Sequence, residues 1–327
     1  MPNWSLSRRS GPISTSTIST RRWTCSPGVR GDSVPVPPSD PVSGGRPTQG
    51  KPGRNWKDLR ARLLSAAVLV PVAALCVWAG GAPYAALIVL ATAGMAIEWG
   101  RMFGLRTASW RGVLYLLWPV AAMAAALGGQ WRGAFMVMGG AFVFGPSLWA
   151  GQVVIGCAGL ALLWLRMMTV PGAGVVLFVV TCVAVSDSGA YLVGRLLGGP
   201  KLAPAISPAK TWSGSLGGLA CAMVAGGGVC SLVSGPGNWA RGMAFGALMA
   251  VAAQIGDLAE SALKRARGVK DSGAIIPGHG GLLDRFDGLL VAAPLAALLS
   301  LGAAGGAAFW YVTQAGLMSA LLGARGN

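Results

Sequence analysis

Acidic residues are scarce in this chain. Asp and Glu number 10 among 327 residues, and all charged residues together make up 11% of the sequence. An average soluble domain has about 25% charged residues. Because 54% of the residues are hydrophobic, the composition excludes an ordinary soluble domain and predicts an all-α polytopic membrane protein.

The few acids are also unevenly placed. After Glu98 they occur only in the C-terminal half of the chain, at Asp187, Asp257, Glu260, Asp271, Asp284 and Asp287. Five of these six lie within one short segment that is also rich in Lys and Arg, residues 257–287. This segment is therefore the strongest candidate for a functional site.

Histidine and paired cysteines are lacking as well. His279 is the single histidine, whereas a zinc site needs three or four His, Cys or acidic ligands. We interpret His279, in its glycine-rich surroundings, as a residue that contacts substrate or fixes a loop. The six cysteines show no CxxC pairing, and all but Cys25 lie in apolar runs, which is typical of small buried apolar residues.

The positive charge does not indicate a nucleic-acid binder. A net charge of +16 would suggest one in a soluble protein. Here, however, most Lys and Arg residues lie in short segments that flank apolar runs, a pattern typical of topology signals and of contact with anionic lipid surfaces. We therefore predict membrane lipids, and no nucleic acid, as partners.

Residues 1–54 differ in composition from the rest. They are basic, rich in Ser, Pro, Gly and Thr, and contain no apolar run. Such a segment cannot bury enough apolar surface to offset the entropy of ordering, and it has no signal-peptide core. We predict a disordered tail; a start codon assigned too far upstream would give the same composition. Residues 55–320 then form the membrane-embedded domain.

Nine transmembrane helices are predicted. From Leu63 onward, apolar stretches of about 15 to 24 residues recur, close to the length that spans a bilayer. They cover residues 63–80, 83–98, 112–128, 133–148, 152–167, 174–193, 214–234, 240–261 and 289–313. The fourth and fifth are short and interrupted by glycine.

The distribution of basic residues gives an orientation. With nine spans, the groups at 54–62, 101–111 and 195–210 fall on one side, which the positive-inside rule makes cytosolic. The N-terminus and the charged segment after the eighth span would then face the cytosol. The glycine-rich spans suit close helix packing, either within one chain or in a homodimer.

The end of the eighth span carries a polar face. Helical spacing places Asp257, Ser261, Lys264 and Arg265 on one side of the helix. An interfacial anchor with an ion pair between Glu260 and Lys264 would be the alternative. That alternative leaves Asp257 unexplained, because Asp257 lies deeper in the span, where a charge is costly.

The sequence "GHGGLLDRFDG" follows this helix. Asp284 and Asp287 are three residues apart with Arg285 between them, after glycines whose backbone can approach a ligand closely. Carboxylates are ligands that Mg²⁺ prefers, and Mg²⁺ usually takes one or two of them and fills the rest with phosphate oxygens and water. The segment therefore predicts a site for a metal and phosphates.

A second motif begins in the sixth span. Asp187 lies inside an apolar run, where an acid is a functional candidate by default. The following stretch, "GGPKLAPAISPAKTWSGSLGG", has Lys210 and the hydroxyls of Ser207 and Thr211, which suit phosphate binding. A solvated loop that obeys the positive-inside rule would explain the lysines alone. No GxxxxGK[ST] phosphate-binding loop occurs.

Both motifs resemble one known family. "SALKRARGVKDSGAIIPGHGGLLDRFD" resembles the signature of phosphatidate cytidylyltransferases, or CDP-diacylglycerol synthases, and "DSGAYLVGRLLGGPKLAPAISPAKTWSG" resembles that family's second block. The similarity extends more weakly over about residues 55–320, including "EWGRM" from Glu98. The family often has Lys-Lys-Thr-Trp-Glu-Gly where this chain has Ala209 and Ser213 in place of the first Lys and the Glu.

The resemblance implies an integral enzyme of the bacterial inner membrane that joins CTP and phosphatidic acid to give CDP-diacylglycerol and pyrophosphate. It also implies Mg²⁺ held by Asp257 and Asp284, with a potassium ion able to share the site. We assign catalytic roles to Asp257, Lys264, Asp284 and Arg285. The residues expected to bind substrate are Asp187, Ser207, Lys210, Thr211, Ser261, Arg265, Lys270, His279 and Asp287.

Two other functions fit parts of the sequence. A related membrane enzyme could use CTP with another lipid, as a CDP-archaeol synthase or a polyprenol kinase does, and substrate profiling would distinguish it. A secondary transporter would also place acids in helices. It should show corresponding broken helices in two halves, whereas here the charged motifs lie in one half without a counterpart.

Overall fold

A computed structural model describes residues 56–269, 271–273, 275, 280–313, 316 and 318, with side chains from residue 67 onward. The predictions for residues 1–54, Lys270 and His279 lie outside the described residues. Within them the chain is almost entirely helical, which confirms the all-α prediction. The helices are α1 (Trp56–Ala79), α2 (Gly81–Met102), α3 (Trp110–Leu127), α4 (Trp131–Gly140), α5 (Pro146–Met168), α6 (Gly172–Leu197), α7 (Trp212–Ser234), α8 (Trp239–Ala266), α9 (Leu283–Phe286) and α10 (Leu289–Leu301).

Six of these helices are long and apolar enough to cross a membrane: α2, α3, α5, α6, α7 and α8. Three shorter apolar helices occur as well, at Ala67–Ala79, Trp131–Phe144 and Leu289–Leu301. Many large apolar side chains are exposed, among them Leu90 and Leu232, and a surface of that kind suits contact with lipid. The chain is therefore a polytopic membrane protein, and the count of nine spans is not confirmed.

Three helix boundaries predicted from the sequence are wrong where glycine or proline determines the backbone. The fourth predicted span runs to residue 148, but α4 ends at Gly140. The fifth predicted span begins at residue 152, but α5 begins at Pro146, since Gly145 has a φ of +96° and proline is favoured in the first helical turn. The ninth predicted span runs to residue 313, but α10 ends at Leu301. Gly305 and Gly306 adopt positive φ values of +63° and +73°, which no continuing helix allows.

The region between α6 and α7 forms a small antiparallel hairpin, with strands β1 (Lys201–Ala203) and β2 (Ser207–Thr211). Proline favours extended backbone in the residue before it, and a two-stranded sheet tolerates Pro208 because it has only edges. Lys201 pairs with Thr211 in the register. Because the hairpin is held by pairing, it fixes the position of Lys210.

Helices α6, α7 and α8 pack with their backbones in contact. A Cβ added at Gly218 would lie 2.5 Å from the carbonyl oxygen of Ser186, and one at Gly226 would lie 2.5 Å from the carbonyl oxygen of Gly242. Only glycine permits such an approach, as at many helix interfaces in membranes. The three helices that carry the two motifs thus form one tightly packed group.

Gly218→Ala should therefore destabilise the protein by about 1–3 kcal/mol through overpacking, although alanine is the better helix former. Thermal unfolding in detergent measures the effect. Gly228→Ala is the matched control on the same helix, because its nearest neighbour, Trp239, would lie an ordinary 4.0 Å from the new Cβ. Equal melting temperatures for the two variants would contradict the packing argument.

Candidate functional site

A cavity of about 380 Å³ lies between α6, the hairpin, α7 and α8. Its walls are largely apolar, with polar side chains from both sequence motifs. The polar residues that line it are Asp187, Tyr191, Arg195, Lys210, Thr211, Ser215, Gln254 and Asp257. The fold thus brings together two motifs that lie about 50 residues apart in the chain.

Asp257 and Lys210 form an ion pair in this cavity. The Lys210 Nζ lies 2.6 Å from Asp257 Oδ2, and the hydroxyl of Ser261 donates to Asp257 Oδ1 over 3.4 Å. The two side chains remain 24% and 31% exposed, so a ligand can reach them. The contact of Asp257 with Ser261 confirms that these residues share a face of α8.

Asp187 and Asp287 add two more carboxylates near Asp257. Burial raises the pKa of Asp287 to about 7, and the charges of Asp257 and Asp187 push it in the same direction, against the Gly288 N–H and Lys210. The charges of Asp257 and Asp187 thus disfavour ionisation of Asp287, and Lys210 partly offsets them. The repulsion among these carboxylates would be lowered by an added cation.

Asp284 belongs to a second polar group. Lys264 Nζ lies 2.8 Å from Asp284 Oδ1 and 2.6 Å from Glu260 Oε2. The backbone N–H groups of Ser272 and Gly281 donate to Asp284 Oδ2 over 3.1 and 3.3 Å. Burial acts to raise the pKa of Asp284, but hydrogen bonds with Glu260, Lys264 and Ser272 outweigh it and hold the pKa at about 2.

Asp257 and Asp284, predicted as the two metal ligands, therefore have separate partners and separate lysines. The ion pair between Glu260 and Lys264, weighed from the sequence as the sign of an interfacial anchor, is present. It does not stand alone, however, because the same lysine also binds Asp284.

Other predicted residues have local structural partners. Thr211 caps α7 by accepting a hydrogen bond from the Gly214 N–H over 3.1 Å, and it also lines the cavity. Arg265 is exposed, with its Nε 3.4 Å from the carbonyl oxygen of Ile206. Ser207 lies on β2 and Arg285 is exposed on α9. Asp187, Lys210, Thr211 and Asp257 are the predicted site residues that line the cavity. The other predicted residues that the structure describes do not line it: Ser207, Ser261, Lys264, Arg265, Asp284, Arg285 and Asp287.

Several polar residues of the site were not predicted. Arg195 Nη1 donates to the hydroxyl of Tyr191 over 3.1 Å at the cavity, and Gln254 Nε2 donates to the carbonyl oxygen of Ser215 over 3.1 Å. The spacing from Asp187 gives a signal for Tyr191 and Arg195, at four and eight residues. Gln254 lies one helical turn before Asp257, and that spacing gives a similar signal.

Asp257 and Asp284 differ in how well they could bind Mg²⁺. Within the described residues, no three His, Cys, Asp or Glu side chains are placed to hold a metal ion by themselves. Mg²⁺ needs only one or two protein carboxylates when phosphate oxygens and water complete its shell. Asp257, partly exposed and repelled by Asp287, fits that need; Asp284 has both oxygens engaged by Lys264 and backbone N–H groups.

The fold and the cavity define a polytopic membrane protein whose site combines carboxylates and a lysine in an arrangement suited to a metal and phosphates. A family model, the Cytidylyltransferase family, matches residues 60–301. The chain belongs to this family, which confirms the resemblance found in the sequence.

Individual relatives carry a more specific name. The chain is 36% identical over 250 residues to the phosphatidate cytidylyltransferase of Brucella suis biovar 1, covering 73% of this chain and 92% of that protein. It is equally similar to the phosphatidate cytidylyltransferase of Brucella melitensis biotype 1, at 36% over 250 residues with the same coverage. A phosphatidate cytidylyltransferase of Staphylococcus saprophyticus is 40% identical over 147 residues, which are 44% of this chain and 56% of that protein.

Proposed function

We propose that this protein is a phosphatidate cytidylyltransferase, which converts CTP and phosphatidic acid to CDP-diacylglycerol and pyrophosphate. The observation that carries the proposal is the cavity in which both motifs meet at the pair of Lys210 and Asp257. The extent of similarity to enzymes of that name supports it.

In this reaction an oxygen of the phosphatidate phosphate attacks the α-phosphorus of CTP. The bond from that phosphorus to the β-phosphate oxygen breaks, and pyrophosphate leaves with the electron pair. Such transfers depend on positioning and on neutralising phosphate charge, so no covalent enzyme intermediate is needed. Lys210 and Arg195 in the cavity supply that positive charge.

Asp257 would hold Mg²⁺ on the triphosphate, with Asp287 and Asp187 close by. When bound, the metal neutralises phosphate oxygens and orients the leaving group. Asp284 would join the metal only by exchanging its contact with Lys264, which would free that lysine for a phosphate. Lys264 and Arg285 are therefore proposed as charge-neutralising residues beside the site.

The apolar part of the cavity suggests where the lipid lies. Leu202 and Leu258 line it, together with the exposed ring of Tyr191. This apolar part would bind the diacylglycerol part of phosphatidic acid. The cytidine and triphosphate of CTP would bind on the polar side, near Lys210. The basic segments support a cytosolic site in a bacterial inner membrane, and a homodimer remains a prediction.

The purified protein in detergent should form CDP-diacylglycerol from CTP and phosphatidic acid in the presence of Mg²⁺, and EDTA should stop the reaction. Mass spectrometry of the lipid product measures it, with pyrophosphatase present to remove the second product. Parallel reactions replace phosphatidic acid with an archaeal ether-lipid phosphate or with a polyprenol. A product from one of these lipids but none from phosphatidic acid would contradict the proposal.

A further inference from the structure

Glu98 lies near the end of α2, outside both motifs, and its side chain is fully buried at 0% exposure. Its two carboxylate oxygens accept hydrogen bonds from consecutive backbone groups of the segment that leads into α9. The Leu282 N–H donates to Oε1 over 2.9 Å, and the Leu283 N–H donates to Oε2 over 2.8 Å. A buried carboxylate is costly unless it is hydrogen-bonded, and short bonds of this kind are the strong ones.

The segment also closes around this carboxylate. The Ser272 hydroxyl donates to Glu98 Oε2 over 3.3 Å. A Cβ added at Gly273 would lie 2.5 Å from Glu98 Oε1, and one at Gly281 would lie 2.9 Å from Oε2. Only a backbone without side chains at these two positions can approach the carboxylate so closely.

Ser272 links Glu98 to the proposed active-site acid. Its hydroxyl binds Glu98, while its backbone N–H donates to Asp284 over 3.1 Å. Gly281 packs against Glu98 and donates its own N–H to Asp284 over 3.3 Å. The two backbone N–H groups that bind Asp284 thus belong to residues in contact with Glu98, whereas Lys264 binds Asp284 from α8.

We propose that Glu98 is a positioning residue: from α2, it fixes the backbone around residues 272 and 281–283 and thereby sets the position of Asp284 and Arg285. Glu98 is fully buried and both of its oxygens are bound by Leu282, Leu283 and Ser272, so it would not touch the reacting atoms. The effect on catalysis rests on the proposed function, whereas the effect on the segment does not.

Glu98→Gln tests this with almost no change of shape. The amide nitrogen cannot accept a hydrogen bond, so one of the N–H groups of Leu282 and Leu283 loses its partner and faces another donor. Turnover should fall about 10- to 100-fold, as is typical for partners that orient a metal-binding or catalytic group. The KM values for CTP and phosphatidic acid should change less than about threefold, because the cavity is untouched.

Amide hydrogen exchange of the protein without metal or substrate provides the second readout. In Glu98→Gln, exchange in peptides covering residues 280–286 should accelerate at least about tenfold, since a hydrogen bond to a charged group is lost. Peptides from α6 should not change. Thr92→Val is the matched control: Thr92 is also buried on α2, but its hydroxyl donates to the carbonyl oxygen of Ile88 within its own helix.

Unchanged exchange at 280–286 in Glu98→Gln, or exchange that rises equally in Thr92→Val, would overturn the proposal. Faster exchange confined to this segment together with full turnover would overturn its catalytic part. If the wild type makes no CDP-diacylglycerol, the proposed function fails, and the exchange result still decides the structural role. If Glu98→Gln does not fold, Ser272→Ala gives the same test, because it removes one donor to Glu98 and should give a smaller acceleration at 280–286.

Discussion

Asp257→Asn should lower turnover of phosphatidic acid by at least about 10²-fold, the loss typical for removing one group that stabilises charge in a transition state. The substitution keeps the shape of the side chain and removes the charge that pairs with Lys210. It also removes the carboxylate best placed to hold Mg²⁺. Because Asp257 is partly exposed, the melting temperature should stay close to that of the wild type.

Initial rates at saturating CTP, measured over a range of Mg²⁺ concentrations, would check this result. Asp58→Asn removes the same charge from α1, far from both motifs in the sequence, and serves as the control for net charge. If Asp257→Asn retained more than about a tenth of wild-type turnover, the assignment of Asp257 as the principal metal ligand would be wrong.

Asp284→Asn is expected to harm both activity and stability. Its carboxylate binds Lys264 and two backbone N–H groups and has a pKa of about 2. Since this pKa lies below the ordinary value, the ionised form stabilises the fold above the ordinary pKa, and that contribution is lost as the pH falls through about 2. Asparagine removes it at every pH, so we expect a loss of about 1–3 kcal/mol together with at least about 10²-fold lower turnover.

Thermal unfolding at neutral pH, run beside the activity assay, separates this variant from Asp257→Asn. Asp271→Asn is the control for stability, because Asp271 is an exposed acid of the same segment. A melting temperature for Asp284→Asn equal to that of the wild type would mean that the bonds to Lys264 and Ser272 contribute nothing to folding. Normal turnover by Asp284→Asn would mean that Asp284 takes no part in catalysis.

The motifs themselves could be predicted from sequence because they consist of local patterns. Asp187 and Asp257 stand out as acids within apolar runs, and helical spacing alone places Ser261 beside Asp257. The pairing of Lys210 with Asp257 could not be predicted, since it depends on a hairpin that turns β2 toward α8. Long-range contacts of this kind have no periodic signal in the sequence.

The burial of Glu98 and its contacts could not be predicted from the sequence either. An acid at the end of an apolar run predicts an interfacial residue as readily as a buried one. What distinguishes it are its hydrogen bonds to Leu282 and Leu283, which lie more than 180 positions later in the chain. The predicted start of α5 and the predicted end of α10 were wrong for a different reason. Backbone geometry at Gly145 and Gly305, rather than hydropathy, determines where these helices begin and end.

The position of the cavity acids along their helices has a consequence for how the two substrates arrive. Asp257 precedes the end of α8 at Ala266 by nine residues, and Asp187 precedes the end of α6 at Leu197 by ten. At about 1.5 Å per residue, both carboxylates lie some 13–15 Å inside the helix ends. Under the proposed function, a nucleotide from solution has to pass the ends of α6 and α8 before its phosphates can reach Asp257. The soluble substrate therefore has to enter the helix bundle before it can react.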